Sequence, residues 1–302
     1  MKTKNSILIL LAGVFWGSMG VFVHLLTDGF GFNSLQAACL RIMSAAVILF
    51  VFILVYNKSL LKIKAIDLPL LVCNGVFSVF LMTVFYFVSI SSDTSMSISA
   101  VLLYTAPFVV MLLSCIFLGE KLTLQKVVCL VIAFGGCCLV SFSEPGYSTP
   151  KGLIFGLLSA VAYGLYSIFS TMALKKHHPY TVTFYSFFFA ALCSVAMSFA
   201  TGLGHTAAKA DNSLYLVGAV ALTGLVTAVL PFMLYTVGLN GTSPSKASIM
   251  AYAEPVSACI FGYAMGENMT PWMIVGIVLT LLSIVMLNIQ LPDLSKKGKK
   301  HD

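Results

Sequence analysis

The sequence predicts an all-α integral membrane protein of ten transmembrane helices, arranged as two inverted five-helix repeats. Three observations predict it: a charge-poor apolar composition, a series of long apolar segments, and a weak internal duplication. The chain of 302 residues is 59% hydrophobic and only 9% charged. Soluble domains carry roughly 25% charged residues, because a polar surface has to cover the core. So small a charged fraction cannot cover a soluble domain of this size. It excludes a cytosolic enzyme, a disordered chain and a nucleic-acid module.

A helix needs about 20 apolar residues to cross a bilayer. Ten segments meet or nearly meet this: 5–26, 35–56, 68–90, 97–118, 126–142, 152–174, 182–201, 214–239, 245–265 and 271–289. The first follows Met1-Lys2-Thr3-Lys4, as a signal peptide would. It is too long for that role and no small-residue cleavage site closes it, so a retained span is expected. The fifth and tenth segments are short and are expected where the bilayer thins or neighbours shield their ends. A transmembrane barrel would show short alternating strands, and no segment alternates in that way.

Positive charge sets the expected orientation. With ten spans and a cytoplasmic N-terminus, the inside collects Lys2, Lys4, Lys58, Lys62, Lys64, Lys121, Lys126, Lys175, Lys176, Lys246, Lys296, Lys297, Lys299 and Lys300. The outside collects only Lys151 and Lys209. Cytoplasmic loops retain lysine and arginine, so both termini are expected in the cytoplasm of a cell with a plasma (inner) membrane of this kind. The same bias accounts for the net charge of +7 without any nucleic acid. The eight cysteines all lie within apolar runs, where a free cysteine packs as a small hydrophobe, and no Cys/His spacing suggests a metal.

Sliding the chain by about 148 residues aligns its halves. Ser97 through Tyr104 and Pro107 falls on Ser245 through Tyr252 and Pro255, Gly119-Glu120 on Gly266-Glu267, and Val14-Phe15-Trp16-Gly17 on Val161-Ala162-Tyr163-Gly164. The repeats are expected over 5–142 and 152–290. Five spans each is an odd number, so the second copy must cross the membrane upside down, an arrangement found in many secondary transporters.

These residues resemble the drug/metabolite transporter superfamily of EamA type. The likeness rests on Phe15-Trp16-Gly17, on Leu40-Arg41, on Pro107 with Gly119-Glu120-Lys121-Leu122-Thr123, and on Glu254-Pro255 with Gly266-Glu267. It implies a carrier of small metabolites such as amino acids, with a central cavity lined mainly by spans 1, 3, 4, 6, 8 and 9. The second copy departs from the first in reading Glu267-Asn268-Met269 where the first reads Glu120-Lys121-Leu122. No phosphate-binding loop is present, so a gradient or exchange would have to drive transport.

Glu254 is the sharpest candidate for binding or coupling. It lies roughly 13 Å into the ninth segment at 1.5 Å per residue, where a charge costs at least about 2.5–3.5 kcal/mol and therefore faces a cavity or a partner. Pro255 beside it frees a carbonyl near Ala251, so the pair suits an ammonium group or a proton. A structural hydrogen bond to another helix is the plainer alternative, and the repeat counterpart, Ala106, shows that the fold itself needs no acid there.

Arg41, about six residues below the outer surface, is expected to snorkel outward, with an anionic partner inside the bundle as the alternative. His24 near the end of the first span is a coupling candidate or an interfacial residue. Trp16, Tyr86, Tyr104, Tyr163, Tyr166, Tyr235 and Tyr252 lie within spans, where each tyrosine hydroxyl needs a partner. As a set they suit a cavity wall for an aromatic, apolar or quaternary-ammonium solute, and singly they suit helix packing. Pro107, Pro231 and Pro255 are candidate kinks or hinges.

The function expected is secondary transport of a small organic metabolite, an amino acid or related amine, by alternating access through a cavity between the repeats. A proton or an exchanged solute would couple to it, and the bilayer is the other partner. The rival is multidrug efflux of lipophilic or quaternary-ammonium cations. No cofactor, metal or catalytic group is expected, since a channel would show rings of polar residues and an enzyme a cluster of them.

Overall fold

The computed structural model describes residues 2–92, 94–141, 147–209, 213–266 and 268–289. Among the described residues the chain is helical and holds no strand. Nine helices among the described residues are long and apolar enough to cross a membrane: α1 (Thr3–Phe30), α2 (Ser34–Tyr56), α3 (Ala65–Ser91), α4 (Met96–Leu118), α5 (Leu124–Ser141), α6 (Pro150–Ala173), α7 (Pro179–Ala200), α8 (Leu214–Leu239) and, after α9, α10 (Pro271–Asn288). Starts are written locally. The Asn33 side chain accepts from Gln36 N ahead of α2, Thr149 caps α6 and Thr270 caps α10, while Pro150, Pro179 and Pro271 occupy first turns where a missing N–H is harmless.

The ninth expected crossing, α9, is two half-helices, Pro244–Met250 and Ala253–Ala264, rather than one rod. Pro255 cannot donate to Ala251 O one turn earlier. The chain tightens there instead, and Glu254 N donates to Ala251 O at 2.9 Å. The carbonyl that proline was expected to free is thus already used. The equivalent break in α4 falls between Met96–Leu103 and Ala106–Leu118, with Pro107 in the first turn of the second half. Pro107 and Pro255 therefore start half-helices.

Two further irregularities match across the duplication. Asn74–Phe80 in α3 and Leu225–Val229 in α8 are π-helical, overlapping under the shift of about 148 residues. Pro231 lies two residues beyond the second. Beside each π segment a glycine admits a helix of the other repeat: a Cβ on Gly75 would strike Ser186 O and Phe189 of α7, and one on Gly224 would strike Ser44 of α2. The third helix of each repeat is thereby pressed onto the second helix of the other. In the same way α5 lies along α10, where Gly136 and Gly276 meet backbone to backbone and Ser283 Oγ donates to Cys129 O at 2.5 Å. The repeats interlock, so their interface is the core of the protein. All eight cysteines are free.

Glu267, which completes the second Gly-Glu match, and the terminal lysines Lys296, Lys297, Lys299 and Lys300 lie outside the described residues.

Candidate functional site

Between the repeats lies a cavity of about 490 Å³, within the range of small-molecule sites. Its walls come from α1, α3, α4, α6, α8 and α9, as the resemblance implied, and also from α2 and α5. Its rim carries His24, Thr27, Ser34 and Met96, at the end of the bundle away from the N-terminus.

Glu254 stands in the first turn of the second half of α9. The break puts a helix N-terminus, whose partial positive charge favours an anion, in mid-bundle behind this carboxylate. Small residues bring it onto the wall. A Cβ on Gly17 would meet Ser257 Oγ and, at 2.7 Å each, Ala258 N and Glu254 O, so only glycine lets α1 lie against α9 at this height. The repeat-related contact of Gly164 in α6 is looser: a Cβ there would meet Val109 of α4 at 3.1 Å and the carbonyl of Ala106 at 3.5 Å.

Arg41 does not snorkel. It is 6% exposed, and Nη1 donates to Thr227 O at 3.2 Å. The reason is Pro231, which has no N–H for the carbonyl four residues before it; the guanidinium takes its place beside the π segment of α8. One of five guanidinium donors is so used, and the side chain also forms part of the cavity wall facing Glu254. The two charges act on each other, yet no N···O approach within 4.0 Å joins them among the described ion pairs. Both line the same cavity.

The mid-span aromatics divide into two groups. Tyr235 and Tyr252 are 3% and 2% exposed, away from the cavity wall, with hydroxyls already engaged by Ser167 Oγ at 2.7 Å and Tyr104 O at 2.6 Å. Tyr166 likewise pairs with Thr236 Oγ1 at 2.8 Å. Trp16, Tyr86, Tyr104 and Tyr163 line the cavity, with Phe87 and Phe232. The hydroxyls of Tyr86, Tyr104 and Tyr163 lie within electrostatic reach of Glu254. Repeat-related rings touch: Trp16 meets Tyr163 edge-on with centroids 6.2 Å apart, and Tyr104 meets Tyr252 at 6.3 Å. Both pairs thus mark the pseudo-two-fold axis. His24 sits at the rim, exposed, its Nδ1 3.1 Å from Asp28 Oδ2.

The two ends of the cavity differ although the sequence duplicates them. At the closed end, Pro244–Met250 packs along Ala106–Leu118. Gly119, at φ 65°, ends α4 in a left-handed turn that L side chains disfavour, and this swings Glu120 back across the repeat boundary. Its Oε2 accepts from Ser245 Oγ at 2.9 Å and its Oε1 from Lys126 Nζ at 2.6 Å. Burial pushes the Glu120 carboxyl up, but Lys126 and the hydroxyls of Ser243 and Ser245 outweigh it and hold it below the usual carboxylate range. At the open end Ser97, the counterpart of Ser245, lines the cavity, and Met96–Leu103 makes no comparable contact with Ala253–Ala264.

A polytopic helical protein whose interlocked repeats enclose a cavity open at one end has the build of a membrane transporter. The chain belongs to the EamA-like transporter family, whose profile matches residues 3–142 and 150–289. It is 27% identical over 281 residues to an uncharacterized transporter of Archaeoglobus fulgidus, covering 92% of this chain and 94% of that one. It is 24% identical to the uncharacterized transporter YyaM of Bacillus subtilis, covering 94% of both. Over 160 residues, 52% of this chain and 55% of the relative, it is 29% identical to the pseudopaline exporter CntI of Pseudomonas aeruginosa. A protein of known crystal structure superposes with a TM-score of 0.78 at 16% identity, covering 95% of this chain and 97% of that one, a likeness of fold.

Proposed function

We propose that this transporter is a secondary carrier of a small amine-bearing metabolite, an amino acid or related amine, working by alternating access across the plasma membrane. The observation that carries the reading is Glu254, an acid at the N-terminus of a half-helix, facing a cavity ringed by Trp16, Tyr86, Tyr104 and Tyr163. A carboxylate so placed meets an ammonium group, and the rings add cation–π attraction and apolar contact. The name of the pseudopaline exporter supports a metabolite rather than an inorganic ion as cargo.

Alternation is supported by the unequal ends. One conformation of a duplicated chain closes the contact at Ser245 and opens the equivalent place at Ser97. The opposite conformation exchanges them, with Pro107 and Pro255 next to the breaks about which the half-helices turn. By the lysine bias the open end here is the outer one, and both termini are cytoplasmic. A proton or a second solute on Glu254 completes the cycle.

Efflux of lipophilic or quaternary-ammonium cations would use the same acid and rings. The test is thermal stabilisation of the purified protein by amino acids, polyamines, nucleosides and quaternary-ammonium dyes, because a ligand stabilises the state it binds. Amino acids or their amines are expected to raise the unfolding temperature, and Glu254→Gln to remove the rise. A rise confined to the dyes replaces the metabolite reading with the drug reading, and one that survives Glu254→Gln removes Glu254 from the site.

A further inference from the structure

We infer that Arg41 reads a substrate carboxylate, so that the cavity takes a zwitterion, with its carboxylate on Arg41 and its ammonium on Glu254. The inference rests on the carrier reading above and narrows it.

Three observations carry it. Arg41 is drawn into the cavity wall by the Thr227 carbonyl that Pro231 leaves without a donor, and that one bond holds the guanidinium in place. Among the described hydrogen bonds and ion pairs its remaining donors meet no carboxylate or carbonyl of the protein, while a planar fork of N–H groups matches a carboxylate's two oxygens. Glu254 is the only acidic side chain on the wall of the cavity among the described residues, and it does not close on Arg41. A buried ion pair without direct contact leaves both charges short of partners, which is costly in an apolar bundle unless a ligand bridges them.

A simple cation satisfies Glu254 and leaves Arg41 repelling it. A zwitterion satisfies both. The wall also carries the apolar residues Met82, Phe87, Ile90, Leu103 and Phe232, which suit an uncharged side chain on the zwitterion. Thr83, also on the wall, spends its hydroxyl proton on Val79 O within its own helix and so does not donate to a substrate carboxylate in competition with Arg41.

The experiment uses the full chain in detergent or liposomes with matched probes: L-leucine, L-methionine and L-phenylalanine, their decarboxylated amines, their methyl esters and the corresponding carboxylates lacking the amine. For at least one of the three, the amino acid should bind about tenfold or more tighter than its amine or ester, the worth of a charge-assisted carboxylate contact. Arg41→Gln should bring the ratio to within about twofold by weakening the amino acid and not the amine, and Arg41→Lys should restore part of it. A purely structural Arg41 would weaken both probes together. The wild-type series stands alone should Arg41→Gln fail to fold.

Amines, esters and amino acids binding equally to the wild type overturns the inference and leaves the carrier reading intact. No saturable binding of any of these probes overturns both. Binding of the simple carboxylates as tight as the amino acids keeps Arg41 and removes Glu254 from ammonium recognition.

Discussion

Replacing Gly17 with alanine tests how α1 sets α9, and with it Glu254, in place. A Cβ at 17 would stand 2.7 Å from Glu254 O and Ala258 N and collide with Ser257 Oγ. Ordinary contact begins near 3.4 Å, so α9 must retreat by roughly 0.7 Å to clear the two backbone atoms, and Ser257 must turn away as well. Turning gives up the single bond its hydroxyl proton can make, for which Ala253 O and Glu254 O at 2.9 Å each and Gly13 O at 3.2 Å are the available acceptors. Overpacking costs about 1–3 kcal/mol. A net loss of about 2 kcal/mol is expected, with weaker ligand binding because the retreat carries Glu254 and Ala258 off the wall. Gly20, one turn on, has no atom within 4 Å of its would-be Cβ, so Gly20→Ala is the control and should leave stability unchanged or slightly raised. Unfolding midpoints of the two variants in one detergent make the comparison. Equal midpoints for Gly17→Ala, Gly20→Ala and the wild type would refute the packing argument.

Three further outcomes are expected. Tyr166→Phe should lower stability by about 1 kcal/mol, since its hydroxyl is buried against Thr236, whereas Tyr163→Phe should leave the unfolding midpoint in place and alter ligand affinity instead; midpoints with and without ligand separate the two. Asn74→Ala should cost about 1 kcal/mol in the same assay, because its Nδ2 donates to Ser170 Oγ at 3.1 Å and Ser186 Oγ at 2.7 Å and so ties α3 to α6 and α7. Glu120, held below its usual range, stabilises this conformation above the unfolded carboxyl value, and that contribution is lost as pH falls through the lower, folded value. Stability measured from pH 7 down to pH 3 should therefore fall less steeply in Glu120→Gln than in the wild type.

What was legible in the sequence follows from what repeats and periodicity carry. Length and hydropathy mark helices, and the match of Ser97–Pro107 with Ser245–Pro255 marks both the duplication and the two broken crossings. Glu254 stands out because a charge in mid-span has few explanations. The direction of Arg41 is not legible locally, because it depends on a carbonyl 186 residues away, freed by Pro231, and no local pattern encodes that contact. The roles of the tyrosines are hidden for the same reason. Tyr163 and Tyr166 are neighbours on one helix, yet one faces the cavity and the other bonds Thr236 of α8. The π segments left one usable sign, glycine at 75 and 224 in register under the repeat shift. Walls contributed by α2 and α5 arise from the interlocking of the repeats, a property of the packed bundle.

The most direct test of the carrier account is counterflow in liposomes. Vesicles preloaded with unlabelled L-leucine, L-methionine or L-phenylalanine are diluted into the same labelled amino acid. Transient accumulation that saturates with substrate, and that disappears in Glu254→Gln at an unchanged level of folded protein, is the predicted result. Absence of counterflow for every member of the series, or counterflow undiminished in Glu254→Gln, would contradict a carrier whose substrate meets that carboxylate between the repeats.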